Sequence, residues 1–206
     1  MKKKLLFATG NEFKFDLMKK RLSVFDELEL ISPKSLGIKI DVEEDGKTAE
    51  ENSIKKAKAY YDAINLPTIA EDSGLYIEKF KEEEQPGLFV KRINGVDGLS
   101  DEEVFNYYFN KITEYGGESK ARYFTGVALV DESGVIHSNT LAEHEFLLTT
   151  KLAKTKSLNG GILEPMSFDI KANKYFEEVT EEEKEEHYKE LNEVYRKMVK
   201  ENIMEK

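Results

Sequence analysis

Two short segments carry residue types suited to phosphate chemistry. Thr9-Gly10-Asn11-Glu12-Phe13-Lys14 follows an apolar run and opens a stretch with helical spacing. A glycine lets backbone turn closely against a ligand, and a helix N-terminus offers free N–H groups and a positive dipole end to an anion. Lys14 falls in the first turn, where its ammonium reaches toward the same phosphates. The Gly-x-x-x-x-Gly-Lys-Ser/Thr spacing of a phosphate loop is absent. The second segment, Glu71-Asp72-Ser73-Gly74-Leu75, closes another apolar run. Carboxylates at a strand end supply the oxygen ligands that Mg²⁺ takes, and one of them can orient or deprotonate a water. Glu43-Glu44-Asp45, ahead of Gly46, offers a further ligand.

These residues need elements to hold them. Leu5–Ala8 reads as a buried strand, and Phe13, Leu17, Met18 and Leu22 then recur at helical spacing. A strand around Glu29–Ile31 and an extended segment through Ile38–Val42 follow. Thr48-Ala49-Glu50-Glu51 is a capping box, which opens a helix to about Ile64. Lys55, Lys56 and Lys58 are read as its outer face, with one of them free to lean toward the cleft, and none is assigned a role. Thr68–Glu71 and Leu75–Ile77 read as short strands around a Ser-Gly turn. Ser100-Asp101-Glu102-Glu103 caps a helix to about Ile112, and Arg122–Asp131 is a strand turning through Glu132-Ser133-Gly134 into Val135–Ser138. Glu143–Thr149 is a further strand. Thr180-Glu181-Glu182-Glu183 caps a terminal helix to about Val199. Strands and helices intermix throughout, which argues for an α/β or α+β chain.

At 206 residues the chain can bury a proper core. Its net charge of -10 disfavours non-specific binding to nucleic acid or to anionic membranes, so a polyanionic ligand needs a local basic pocket and gains from a divalent cation. Without cysteine there are no disulfides and no thiolate metal sites. His137, His144 and His187 have no zinc-like spacing. The apolar run after Met1-Lys2-Lys3-Lys4 is too short for a signal peptide, no segment is long enough to span a membrane, and the cytoplasm is the expected location.

Ala8-Thr9-Gly10-Asn11-x-x-Lys14, Glu44-x-Gly46-x-Thr48-x-Glu50-Glu51-Asn52, Glu71-Asp72-Ser73-Gly74-Leu75 and Pro86-Gly87 occur in the order and approximate spacing of the inosine-triphosphate pyrophosphatase family. Arg92 and Ala121-Arg122-Tyr123-Phe124-Thr125 continue a resemblance that covers about residues 3–131. It implies a single 1–206 α/β domain: two lobes around a long, twisted mixed sheet, with the active cleft between them and a homodimer as the usual assembly. It also implies Mg²⁺-dependent attack of water at the α-phosphorus of a noncanonical purine nucleoside triphosphate, releasing nucleoside monophosphate and pyrophosphate. By position, Thr9, Gly10, Asn11 and Lys14 hold phosphates, Glu44 and Asp72 hold the metal, Asp72 is also the base, and Ser73 contacts substrate. The alternative is a catalytically weak nucleotide-binding or regulatory protein of the same fold. Retention of Lys14, Glu44 and Asp72 together argues against it.

The carboxy-terminal third departs from the family pattern. Where the family has Asn-Gly-Phe-Gly-Tyr-Asp-Pro, this chain has Asn159-Gly160-Gly161-Ile162-Leu163-Glu164-Pro165. Glu164 takes the aspartate position, and the phenylalanine that stacks on the purine is Gly161. Thr180-Glu181-Glu182-Glu183-Lys184 keeps the family's Thr-x-Glu-Glu-Lys, which makes Lys184 a substrate contact. The following Ser-His-Arg is replaced by Tyr188-Lys189-Glu190, and His187 lies about 200° round a helix from the family's histidine position. A lost aromatic stack costs about 1–3 kcal/mol, so altered base specificity is expected. Phe168, Tyr175 and Phe176 are available as a substitute aromatic face, or as packing beneath the terminal helix.

Overall fold

The structure is a computed structural model and describes residues 2–142, 145–154 and 161–205. It is mixed α/β with a central mixed sheet. Thirteen regular elements concern us: β1 (Lys3–Phe7), α1 (Glu12–Arg21), β2 (Leu28–Ile31), α2 (Ala49–Ile64), β3 (Thr68–Ile77), α3 (Asp101–Glu114), β4 (Glu118–Val130), β5 (Ile136–Ala142), β6 (Phe146–Thr149), β7 (Ser167–Asp169), β8 (Lys174–Tyr175), α4 (Glu181–His187) and α5 (Lys189–Val199). The strand order is β2-β1-β3-β4-β6-β7-β8, with β5 also paired to β4. β1 pairs parallel with β2 and β3, whereas β4, β6, β7 and β8 pair antiparallel in succession.

The chain forms two compact units. The first comprises residues 1–73, 125–141 and 189–206. In it, β1 alternates between two cores, as strand side chains must. Leu5 and Phe7 join Met18, Leu22, Tyr195 and Val199, while Leu6 and Ala8 join Ala57, Tyr60, Ala128 and Val130. A parallel strand buried on both faces reads as a continuous apolar run, which is why Leu5–Ala8 stands out in the sequence. The second unit comprises residues 74–124 and 142–188. Its core gathers Leu75, Ile77, Val104, Tyr108, Ile112, Phe146, Leu148 and Met166.

All three expected caps start helices, with Thr48, Ser100 and Thr180 accepting from the backbone N–H of Glu51, Glu103 and Glu183; the reciprocal half of the capping box forms at Ser100 and Thr180, whereas Glu51 accepts from Lys47 N instead. Two expectations are corrected. First, Ser73-Gly74 is not a turn, because β3 runs unbroken from Thr68 to Ile77. A glycine inside a strand marks a close approach. A Cβ on Gly74 would lie 2.1 Å from the Phe124 ring and 2.8 Å from the Gly87 carbonyl. Second, the terminal helix is two helices, interrupted at Tyr188. No glycine or proline stands there; instead α4 sets His187 against Asp169, while α5 buries Asn192 and Tyr195 against Arg21. The Glu143–Thr149 strand begins only at Phe146, with Glu143 and His144 outside the described residues. Among the described residues no helix is long and apolar enough to cross a membrane.

Candidate active site

β1 is flanked by β2 on one side and β3 on the other, and the two crossovers use opposite faces of the sheet. Met18 and Leu22 of the α1 segment pack in one core, and Ala57 and Tyr60 of α2 in the other. The carboxyl end of β1 is therefore a topological switch point, where open α/β sheets bind ligands. Both chemical segments end there. The pairing of Phe7 with Ile69 brings the chain just past β1 level with the acidic end of β3's first half.

The turn after β1 is a capped helix start. Asn11 is the N-cap, accepting from Lys14 N at 3.3 Å through its side-chain oxygen, while Thr9 Oγ1 accepts from Asn11 N at 3.1 Å. The side-chain amide of Asn11 is thereby aimed away from its own helix. Gly10 is exposed, and a Cβ there would meet nothing within 4 Å. The protein's own packing does not require this glycine.

Strand alternation gives the two acidic residues of β3 to opposite faces. Asp72 faces α2, where Asn52 Nδ2 donates to its Oδ2 at 2.9 Å. Asn52 Oδ1 in turn accepts from Gly46 N at 2.7 Å, so one side chain fixes both Asp72 and the loop that carries Glu44. A Cβ on Gly46 would lie 2.5 Å from that Oδ1, which explains a glycine there. Lys56, one helical turn beyond Asn52, is not on the outer face as its neighbours Lys55 and Lys58 are. Its side chain is 17% exposed, reaching Glu44 Oε1 at 2.5 Å and the Glu71 carbonyl at 3.4 Å. Glu44, Asn52, Lys56 and Asp72 thus form one cluster.

Glu71 faces the other way. Its side chain, 11% exposed, meets Lys14 Nζ at 3.4 Å and accepts from the Tyr195 hydroxyl at 2.8 Å. Burial pushes the Glu71 carboxyl up, but Lys14, Arg21 and the two hydrogen bonds outweigh it and hold it below the usual carboxylate range. Ser73, on the same face, shares a hydrogen bond with Thr125 of β4 at 3.1 Å. Sequence reasoning named Glu71 as one of the paired carboxylates without its partners Lys14 and Tyr195, and it left Lys56 unassigned. The i, i+4 spacing from Asn52 was the available signal for Lys56, and strand alternation next to Asp72 was the signal for Glu71.

A divalent cation fits this donor set. Among the described residues no three carboxylates or imidazoles gather into a protein-only metal cage. Mg²⁺, however, is usually held by one or two carboxylates together with waters and substrate phosphates. Glu44 is 40% exposed, and Asp72 has one oxygen engaged by Asn52, leaving the other for a ligand.

Glu164 and Lys184 belong to the second unit. Glu164 opens a short 3-10 turn (Glu164–Met166), where burial and Glu177 raise its carboxyl while Lys184 opposes them. Lys184 pairs with Glu181 at 3.3 Å on α4. Asn159 and Gly160 lie outside the described residues. Leu163, which takes the family's tyrosine position, is buried in the core. Phe176 packs on Phe146 of the second core, with ring centres 5.1 Å apart, while Phe168 and Tyr175 lie edge-on to each other at 5.3 Å and are both partly exposed.

A sequence profile of the Ham1 family matches residues 5–190, and the chain belongs to this family. The resemblance to inosine-triphosphate pyrophosphatases is thereby borne out. A curated relative from Thermoanaerobacter pseudethanolicus (strain ATCC 33223 / 39E), named dITP/XTP pyrophosphatase, is 30% identical over 187 residues, covering 88% of this chain and 87% of that protein. A relative of the same name from Aquifex aeolicus (strain VF5) is 40% identical over 101 residues, or 49% of this chain, so that the match spans only 47% of its length. Among solved structures, the Staphylococcus aureus Ham1 protein superposes with a TM-score of 0.74 at 22% identity, covering 96% of this chain and 98% of that one, which shows a common fold.

Proposed function

We propose that this chain is a Mg²⁺-dependent nucleoside-triphosphate pyrophosphatase that yields nucleoside monophosphate and pyrophosphate. The observation that carries this reading is the Glu44–Asn52–Lys56–Asp72 cluster beside a capped helix start at the switch point. The relatives' names extend it to noncanonical purine triphosphates such as dITP and XTP. Thr9, Asn11, Lys14 and the exposed amides around Gly10 bind the polyphosphate, and Ser73 contacts the substrate. Lys56 adds a second cation. Glu44 and Asp72 would hold Mg²⁺, which, when bound, would offset phosphate charge. Asn52 orients the Asp72 carboxylate, which is the group we assign as base for the attacking water. Water oxygen bonds to the α-phosphorus, the bond from that phosphorus to the bridging oxygen breaks, and pyrophosphate leaves with the electron pair.

Base preference is proposed to differ from the family's usual one. Gly161 offers no ring, Leu163 is spent on the core, and Glu164 presents a carboxyl that burial raises toward its neutral form. Glu164 and Lys184 are the residues we assign to the nucleoside end. The reading extends to a homodimer on the strength of the family resemblance.

The test is pyrophosphate release with Mg²⁺ across canonical, deoxy and modified triphosphates, by the wild-type protein and by Asp72→Asn. Turnover that falls by roughly 10²-fold or more in the variant while nucleotide binding persists supports the reading. No pyrophosphate from any nucleotide, with binding intact, leaves the nucleotide-binding alternative. A preference for dITP and XTP equal to the relatives' sinks the altered specificity alone.

A further inference from the structure

A buried chain of contacts in the first unit connects the C-terminal helix to Lys14. Tyr195 of α5 is 1% exposed, yet its hydroxyl is not idle: it donates to Glu71 Oε2 at 2.8 Å, and the other carboxylate oxygen of Glu71 faces Lys14 Nζ. Behind the Tyr195 ring lies the Arg21 guanidinium, 4.2 Å from the ring centre, itself buried. Arg21 Nε donates to Asn192 Oδ1 at 2.8 Å, and its carbonyl accepts from Arg196 Nε at 2.9 Å. Three residues of α5 thus converge on the last residue of α1 and on Glu71.

A buried tyrosine and a buried arginine are costly unless their polar groups are paired, and here each pairing leads to the next. Lysine is a flexible point charge on a four-carbon stem, and fixing it costs side-chain entropy. Glu71 fixes that stem before any ligand arrives, but a carboxylate free to rotate would follow the ammonium rather than orient it. The Tyr195 hydroxyl removes that freedom. Glu71 takes only one of the three Lys14 donors, and Lys14 remains 32% exposed, so its other N–H groups stay available to an anion.

We propose that Tyr195 is a positioning residue for polyphosphate binding, holding Glu71 so that Glu71 presents the Lys14 ammonium to the ligand. This rests on the pyrophosphatase reading only for the identity of that ligand. Since Asp72 faces the opposite side of β3, the device acts on binding and leaves the chemical step alone.

The experiment titrates inorganic tripolyphosphate with Mg²⁺ into the wild-type protein, Tyr195→Phe, Lys14→Met and the double variant, and measures pyrophosphate release from dITP in parallel. Tyr195→Phe keeps the ring beneath Arg21 and deletes one charge-assisted hydrogen bond. Tripolyphosphate affinity then falls roughly tenfold and KM rises by a similar factor, with kcat nearly unchanged. In the Lys14→Met background the same substitution changes nothing. Unchanged affinity in the Phe variant, an equal loss with and without Lys14, or a fall in kcat at constant KM overturns the proposal. If the Phe variant melts early, Glu71→Gln takes its place, with the same tenfold loss and the same dependence on Lys14 expected. If the wild-type protein releases no pyrophosphate from any nucleotide, the functional reading fails, and the tripolyphosphate titration still decides the role of Tyr195.

Discussion

At the scale of single residues, Gly10 separates what the fold needs from what a ligand needs. Its φ is not in the left-handed region, and a Cβ would sit in open space. Gly10→Ala therefore leaves the melting temperature unchanged or raises it slightly, since a compatible Gly→Ala substitution gains about 0.4–1 kcal/mol through the unfolded chain. If the turn cradles phosphate, the same methyl group crowds the anion, and tripolyphosphate affinity drops. Equal affinity in both proteins would show that no ligand approaches this backbone. Residues of this kind were legible in the sequence because the turn chemistry is local: Asn11 caps, Lys14 sits in the first turn, and Asp72 ends an apolar run. The role of Glu71 was not, because its partners Lys14, Arg21 and Tyr195 come from 50 to 124 positions away along the chain, and only packing brings them together.

At the scale of elements, α2 is the platform of the Glu44–Asn52–Lys56–Asp72 cluster, and its seat is a glycine on β4. A Cβ on Gly126 would lie 2.1 Å from Glu50 N and 2.2 Å from the Ala49 carbonyl carbon. Backbone cannot step aside as a side-chain tip can. Gly126→Ala must push the first turn of α2 off the sheet, taking with it the Thr48 cap, the hydrogen bonds from Ser138 and Thr140 to Glu50, and Asn52. We expect a loss of about 1–3 kcal/mol in urea unfolding together with a larger proportional loss of turnover, because Asn52 aims Asp72. A variant as stable as wild type would disprove this seating. The helix itself was readable from Thr48 and its glutamates, but its footing was not, since nothing in Thr125-Gly126-Val127 announces what lies across the strand. The same blindness turned Ser73-Gly74 into an expected bend. Glycine signals both a turn and a close approach, and only the Phe124 ring decides between them.

At the scale of the whole molecule, an acidic chain stabilises itself through carboxylates that it keeps ionised. Lys34, Lys55, Lys111 and Lys174 each hold a glutamate or aspartate, and Glu71, Glu84 and Glu183 all have lowered pKa values. Glu84 is the clearest case. The Tyr115 hydroxyl and the Lys111 ammonium donate to it and bring its carboxyl from 4.5 down to about 2. A carboxyl that is more acidic in the folded state contributes stability that is complete above its unfolded pKa and disappears as pH falls through the folded one. The Glu84 contribution is therefore full at neutral pH and is lost between about pH 4.5 and 2. Glu84→Gln, which cannot ionise, should unfold at lower urea than wild type at pH 7, with the gap narrowing steadily below pH 4.5 and closing near pH 2. A gap that stays constant across that range would mean that Glu84 contributes by shape, and that the acid sensitivity of this protein comes from its other paired carboxylates.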